Sequence, residues 1–188
     1  GADSAAYPCG AEAVGRGGAG LSAAEAAATQ VGCARMSAAT RAEAFTLLAD
    51  FLQGDDHYLA SSAAYGGGGR DTLGRALDLF LARPELGFVW LAYADAGGAP
   101  SAVGACVACF AISTSRGTLV AKLDDVTVAR GWQGRGVGGA MLAALGDELR
   151  AHGVTRIDTA CHRDNRAAWR FYERLGFGRL LREQARRI

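Results

Sequence analysis

The sequence predicts one α/β domain. Three observations support this: the chain length, the alternation of strand-like and helix-like periods, and a glycine-rich loop between a strand and a helix. The chain has 188 residues, half of them hydrophobic, which is enough to bury one full core. We expect residues 28–188 to form a single domain. Residues 1–27, rich in Gly and Ala without apolar periodicity, are expected to form a poorly ordered arm.

Hydrophobic periodicity assigns the individual elements. Alternating apolar positions and β-branched residues mark strands, whereas apolar residues three and four positions apart mark helices. Short turns rich in Gly, Pro and Ser join three consecutive strands, which predicts an antiparallel meander. The order is β-α-α-β-β-β-α-β-α-β. The predicted elements are strand 29–36, helices 40–53 and 71–81, strands 87–94, 103–113 and 118–128, helix 138–152, strand 155–161, helix 165–175 and an extended piece from Phe177 onward.

Composition argues against several classes of function. The net charge of +1 provides no basic field for nucleic acid. No apolar run is long enough to span a bilayer and the start of the chain lacks a signal-peptide pattern, so we expect no membrane partner and a cytoplasmic location. Cys106 and Cys109 lie three positions apart on one strand and should face opposite sides of the sheet. No histidine has a partner at a metal-ligand spacing, so no metal site is expected.

The glycine-rich loop follows the last strand of the meander and leads into a helix. The first N–H groups of a helix lack intrahelical partners, and Gly134, Gly136 and Gly138 would let an anion approach them closely. A phosphate-binding loop is one interpretation, and an ordinary tight turn is another. A third is a dinucleotide fingerprint made by Gly134, Gly136 and Gly139 with Asp158. It fits less well, because several residues separate the strand from the glycines and too little chain follows for a doubly wound sheet.

The last predicted helix carries a second motif. Asp164 is its expected N-cap and Gly176 its expected C′ residue. Asn165 and Tyr172 lie two turns apart on one side of the helix, so both can point into one groove. Taken alone, capping by Asn165 and an amphipathic core position for Tyr172 explain the same residues.

Together, the two motifs resemble those of the Gcn5-related N-acetyltransferase family. Gln133, Gly136 and Gly138 occupy the defining positions of that family's pyrophosphate loop, and 165–177 matches its second cofactor segment. The resemblance implies a mixed, mostly antiparallel sheet flanked by helices. It also implies an acyltransferase that moves an acetyl group from acetyl-CoA to a primary amine by direct attack in a ternary complex. A non-catalytic acyl-CoA sensor or regulatory module is the alternative.

The resemblance also implies where the cofactor binds. In the family, coenzyme A lies where two neighbouring parallel strands splay apart, here 118–128 and 155–161. The backbone of Val126 and Val128 would pair with the pantetheine arm, which Asn165 would also bind. The loop would hold the pyrophosphate; its residues are Gln133, Gly134, Arg135, Gly136, Val137, Gly138 and Gly139.

Catalytic roles follow from the same resemblance. Tyr172 matches the acid that protonates the departing thiolate, and a phenol is normally protonated at neutral pH. Asp124 and Asp125 are the candidates for a base that deprotonates the amine. Adjacent residues face opposite sides of a regular strand, but the family often has a bulge in this strand, so alternation does not decide which one faces the thioester; Asp125 is preferred. Two alternatives stay open: structural ion pairs with Lys122 or an arginine, and water chains in place of a single base.

The acceptor is the least specified part. In the family, the two helices after the first strand shape the acceptor site, which puts Asp55, Asp56, His57, Tyr58 and Gly66–Gly69 near its rim. Acidic residues there would suit a polyamine, an aminoglycoside or a lysine side chain. Many members form dimers, so a homodimer is an expectation.

Overall fold

The computed structural model describes residues 30–54, 69–95, 97–162 and 164–178. Each helix and strand predicted within these ranges is present, with bounds that differ by a few residues. The arm 1–27 lies outside the described residues, as does the final extended piece beyond residue 178. The elements are β1 (Val31–Arg35), α1 (Arg41–Gly54), α2 (Arg70–Ala82), β2 (Gly87–Ala94), β3 (Ser101–Ser113), β4 (Thr118–Val128), a short 3-10 helix (Arg130–Trp132), α3 (Val137–Ala151), β5 (Val154–Thr159) and α4 (Arg166–Arg174).

The five strands form one sheet in the order β1-β2-β3-β4-β5. The pairs from β1 to β4 are antiparallel, which confirms the predicted meander, and β4 pairs with β5 in parallel. A parallel pair needs a crossover connection, and α3 supplies it. The mixed, mostly antiparallel sheet is therefore confirmed.

Helices cover both faces of this sheet, which explains why β2 is apolar at nearly every position. Trp90 packs in a cluster with α3 and α4, whereas the next residue, Leu91, packs in a second cluster with α1 and α2. Cys106 is buried in the first cluster and Cys109 packs against the second. The two cysteines thus face opposite sides, as predicted.

A bulge interrupts β4 beside β3. The register shifts so that one residue of β3, Cys106, stands opposite two residues of β4, Asp125 and Val126. Asp125 has φ of 49°, in the left-handed region that few residues other than glycine adopt. A bulge redirects the side chains around it, so strict alternation along β4 fails at the acidic pair.

Candidate active site

A cleft opens where β4 and β5 part. Their paired residues run from Leu119 with Val154 to Leu123 with Thr159, where β5 ends, while β4 continues to Val128. The backbone of β4 beyond Leu123 is therefore an edge on which an extended ligand can form strand-like hydrogen bonds.

Two cavities adjoin this edge and meet at Val126 and Phe51, which line both. The first has a volume of about 570 Å³ and is lined by Asp124, Asp125 and Tyr172, among others. The second, of about 650 Å³, is lined by the end of α1 and by 126–130 and Gln133. The candidate catalytic residues thus share one cavity, and the other leads to the glycine-rich loop.

Asp125 stands on the bulge at the edge of the first cavity. Burial, and then the neighbouring Asp124 carboxylate, raises the pKa of Asp125 to about 6, although Lys122 opposes the shift. A carboxylate with a pKa near neutrality is a better proton acceptor than an ordinary aspartate and is still mostly ionised at pH 7.

Asp124 has a different environment. The Lys122 ammonium lies 3.1 Å from its Oδ2 atom, and both side chains are well exposed to solvent. The ion pair considered from the sequence therefore exists for Asp124. The Lys122 ammonium largely compensates the charge of Asp124. The two adjacent acids therefore differ: Asp124 is ion-paired and exposed, whereas Asp125 is more buried.

Tyr172 also lines the first cavity and is 8% exposed. Its ring makes edge-to-face contacts with Phe171 and Phe177, at centroid distances of 5.2 and 5.4 Å. Burial raises the pKa of Tyr172 to about 12, against a hydrogen bond with the Thr159 side chain that lowers it. The hydroxyl is therefore a proton donor throughout the neutral range.

The N-terminus of α4 differs from the prediction in one respect. Asn165, not Asp164, is the N-cap, and its Oδ1 atom accepts a hydrogen bond from the Ala168 N–H at 3.0 Å. The predicted assignment to Asp164 was wrong, because both residue types cap well and only the geometry of the chain separates them. Asn165 also lines the first cavity, and its amide Nδ2 can donate to a ligand there.

The glycine-rich loop has the backbone geometry that glycine permits. Gly134 and Gly136 have φ of 74° and 82°, and Gly136 is the N-cap of α3. The Ala140 N–H donates to the Gly136 carbonyl, so α3 begins with N–H groups ahead of Ala140 that have no carbonyl one turn back. This exposed helix start is suited to an anion.

Other predicted loop residues hold the loop in place. The Gln133 side-chain amide donates to the Val128 carbonyl at 2.9 Å, which ties the loop to the end of β4. The Arg135 guanidinium lies 5.1 Å from the centre of the Trp132 ring. Val137 is 1% exposed and packs in the core, so only its backbone can face a ligand.

Gly138 serves packing more than ligand access. A Cβ atom built there would lie 3.2 Å from the Phe171 ring, whereas one on Gly139 would lie 3.8 Å from Leu175. Alanine favours helices, so Gly139→Ala should stabilise the fold by about 0.5–1 kcal/mol. Gly138→Ala should lack that gain, because Phe171 must move. Thermal unfolding of both variants tests this, and equal melting temperatures would contradict it.

Several residues of the first cavity carry no signal in the sequence. Cys161 and His162 follow β5 and line the cavity beside Tyr172, and Phe51 lines it from α1. The predicted rim residues from Asp55 to Tyr58 lie outside the described residues, as do 66–68.

Neither a cluster of His, Cys, Asp and Glu that could hold a metal nor a helix able to span a membrane occurs in the described part of the chain.

Solved structures share this fold. The chain resembles an aminoglycoside N-acetyltransferase, AAC(6′)-Iy, determined in complex with CoA, with a TM-score of 0.66 and 17% identity over 85% of this chain and 95% of that one. An integron cassette protein from the mobile metagenome of Cole Harbour salt marsh has a TM-score of 0.60 and 26% identity, over 81% of this chain and 89% of that one. Glucosamine-6-phosphate N-acetyltransferase from Arabidopsis thaliana has a TM-score of 0.60 and 12% identity, over 84% of this chain and 98% of that one.

No curated protein sequence gives a significant match to this chain. The sequence model of the acetyltransferase (GNAT) family, however, matches residues 57–177. That match covers the meander, the glycine-rich loop and α4, which are the elements that build the cleft. Since it spans more than half of the sequence, the chain belongs to the GNAT family of acetyltransferases.

Proposed function

We propose that this protein is an N-acetyltransferase that moves the acetyl group of acetyl-CoA to a primary amine within a ternary complex. The observation that carries the proposal is the meeting of Asp125 and Tyr172 in one cavity, at the point where β4 and β5 part. A base for the amine and an acid for the sulfur are the two groups that would accelerate the transfer most directly.

Acetyl-CoA is the cosubstrate, held along β4. The pantetheine arm pairs with the backbone of Val126 and Val128, and Asn165 donates to the same arm. The pyrophosphate binds at the start of α3, where N–H groups between Gly134 and Gly139 face it. One N–H group of the β4 edge polarises the thioester carbonyl.

The chemistry follows from the protonation states of the two groups. The amine nitrogen attacks the carbonyl carbon as the neutral form, after its proton has passed to Asp125 directly or through water. Attack gives a tetrahedral intermediate with a positively charged nitrogen, which loses its second proton to water. As the intermediate collapses, the C–S bond breaks and the Tyr172 hydroxyl gives its proton to the sulfur. The amide and CoA leave, Asp125 releases the amine proton to solvent, and Tyr172 regains a proton from solvent.

Thermal-shift titration tests cofactor binding first. We expect acetyl-CoA and CoA at about 100 times their Kd to raise Tm by about 5–10 °C, and NAD and NADP to have no effect. A shift with the nicotinamide cofactors alone, or with none of the four, would refute the proposal. A shift with acetyl-CoA but no acetylation of any amine, measured as thiol release, would favour a non-catalytic acyl-CoA sensor.

A pair of glycine variants tests the site of the pyrophosphate. Gly136 and Gly117 both have left-handed φ and open space where a Cβ would lie, but Gly117 is in the β3–β4 turn at the far end of β4. Gly136→Ala and Gly117→Ala should therefore destabilise the fold by a similar amount, about 1 kcal/mol, through backbone strain. Only Gly136→Ala should reduce the rise in Tm that acetyl-CoA causes.

A further inference from the structure

We infer that the acceptor is a monoamine with an apolar carbon skeleton, such as an alkylamine or an arylalkylamine. This inference rests on the proposed function, because it concerns the acceptor side of the same cavity. It narrows the acceptor from any primary amine to one chemical class and excludes polyamines and aminoglycosides as preferred substrates.

The two faces of the sheet identify the acceptor side. Tyr172, the acid for the sulfur, belongs to the core cluster on the α3 side of the sheet, whereas α1 and α2 pack on the opposite side. The cavity extends between these two sides. With the sulfur next to Tyr172, the amine reaches the thioester from the side of α1 and α2.

The acceptor side of the cavity is apolar. Every residue that α1 and α2 contribute to its described lining is a hydrocarbon side chain. These residues are Leu48, Phe51, Leu73, Ala76, Leu77 and Phe80. Phe51 and Phe80 are half-buried, so their rings remain partly available to a ligand. When an apolar ligand contacts this apolar wall, apolar surface is removed from water, which stabilises binding.

The charges of the described lining suit a single ammonium group. Apart from His162, they consist of Asp124, Asp125 and Lys122. Because Lys122 compensates Asp124 at 3.1 Å, Asp125 supplies the net negative charge. One ammonium can approach Asp125. A second or third positive charge on the same molecule would be desolvated beside leucine and phenylalanine side chains without a partner, which weakens binding.

The volume of the cavity also limits the acceptor. About 570 Å³ is within the range of sites for small ligands, and the acetyl thioester end of the cofactor must share it. A compact amine such as phenethylamine fits these limits better than a trisaccharide antibiotic does.

A panel of amines tests the inference with the wild-type protein and acetyl-CoA. We expect kcat/KM, measured as thiol release, to rise about fourfold for each methylene from ethylamine to butylamine, and phenethylamine to exceed spermidine and kanamycin at least tenfold. Higher kcat/KM for spermidine or kanamycin would overturn the inference and leave the proposed function intact. Absence of acetylation with every amine would refute the proposed function itself.

Paired variants on α2 locate the apolar wall. Phe80→Ala should raise KM for phenethylamine about tenfold and leave ethylamine unchanged. Leu79→Ala is the matched control, since Leu79 is 62% exposed and does not line the cavity. If Phe80→Ala fails to fold, Ala76→Asp replaces it. Ala76→Asp should lower kcat/KM for phenethylamine and raise it for 1,5-diaminopentane, and an unchanged preference would overturn the inference.

Discussion

Replacing Tyr172 with phenylalanine is expected to lower kcat for acetyl transfer by about 10²–10⁴-fold, the range typical of a lost general acid. The ring would keep its contacts with Phe171 and Phe177, so only the hydroxyl is removed. With the pKa of Tyr172 raised to about 12, that hydroxyl is protonated at any pH used for assay and acts as an acid. Binding of acetyl-CoA should change little.

Steady-state thiol release measures kcat of the Tyr172→Phe variant, and a thermal-shift titration with acetyl-CoA measures its cofactor binding separately. Tyr93→Phe is the matched control, because Tyr93 is on β2, packs against the α1 and α2 cluster and does not line the cavity. A Tyr172→Phe enzyme that retains most of its kcat would remove the tyrosine from the mechanism. A loss of acetyl-CoA binding would assign it a binding role instead.

Asp125→Asn is expected to lower activity and raise stability at once. Loss of a general base costs about 10²–10⁴-fold in kcat/KM. In the wild-type protein, kcat/KM should fall as the pH drops below about 6, where Asp125 becomes protonated. The variant should lack this acidic limb. A matching pH profile in both proteins would show that another group is the base.

The gain in stability follows from the raised pKa. The folded state raises the pKa of Asp125 from 3.8 to about 6, so it holds the proton more tightly than the unfolded state does. This carboxyl therefore favours folding below pH 3.8, and that contribution is lost as the pH rises through about 6. Above that pH the ionised carboxylate destabilises the fold by about 1–2 kcal/mol, after allowance for its partial exposure.

Asparagine has no such charge and tolerates the left-handed φ of 49°. Asp125→Asn should thus raise Tm by about 2–8 °C at pH 8, with a difference that disappears near pH 3.5. Asp124→Asn is the control: it removes the repulsion with Asp125 but also breaks the ion pair with Lys122, so its gain in Tm should be smaller than that of Asp125→Asn. Equal Tm values for wild type and Asp125→Asn at pH 8 would contradict the argument.

Local patterns in the sequence were sufficient to predict the element order and the glycine-rich loop. Apolar periodicity separates strands from helices because each element must bury one face, and both faces of β2 are covered by helices. The parallel pairing of β4 with β5 followed from the resemblance to a family. The structure confirms these features within the described residues.

Features that depend on contacts distant in sequence could not be predicted from residue patterns alone. The bulge at Asp125 arises from the register between β3 and β4, and no residue pattern in β4 alone reveals it. The apolar wall arises only when α1 and α2 pack beside the end of β4. Burial along α4 likewise depends on the elements packed against it: Tyr172 is the buried residue of this helix, whereas Leu175, just after it, is 38% exposed.

The double use of the α1 and α2 side chains limits how this enzyme can change over generations. Leu48, Leu73 and Leu77 are nearly inaccessible to solvent and hold the two helices on the sheet, yet they also line the cavity. Truncating any of them would cost about 2–5 kcal/mol, much of the stability of a typical domain. Adaptation to a new acceptor would therefore begin at the half-buried lining positions Phe51, Ala76 and Phe80, where a substitution removes less core packing.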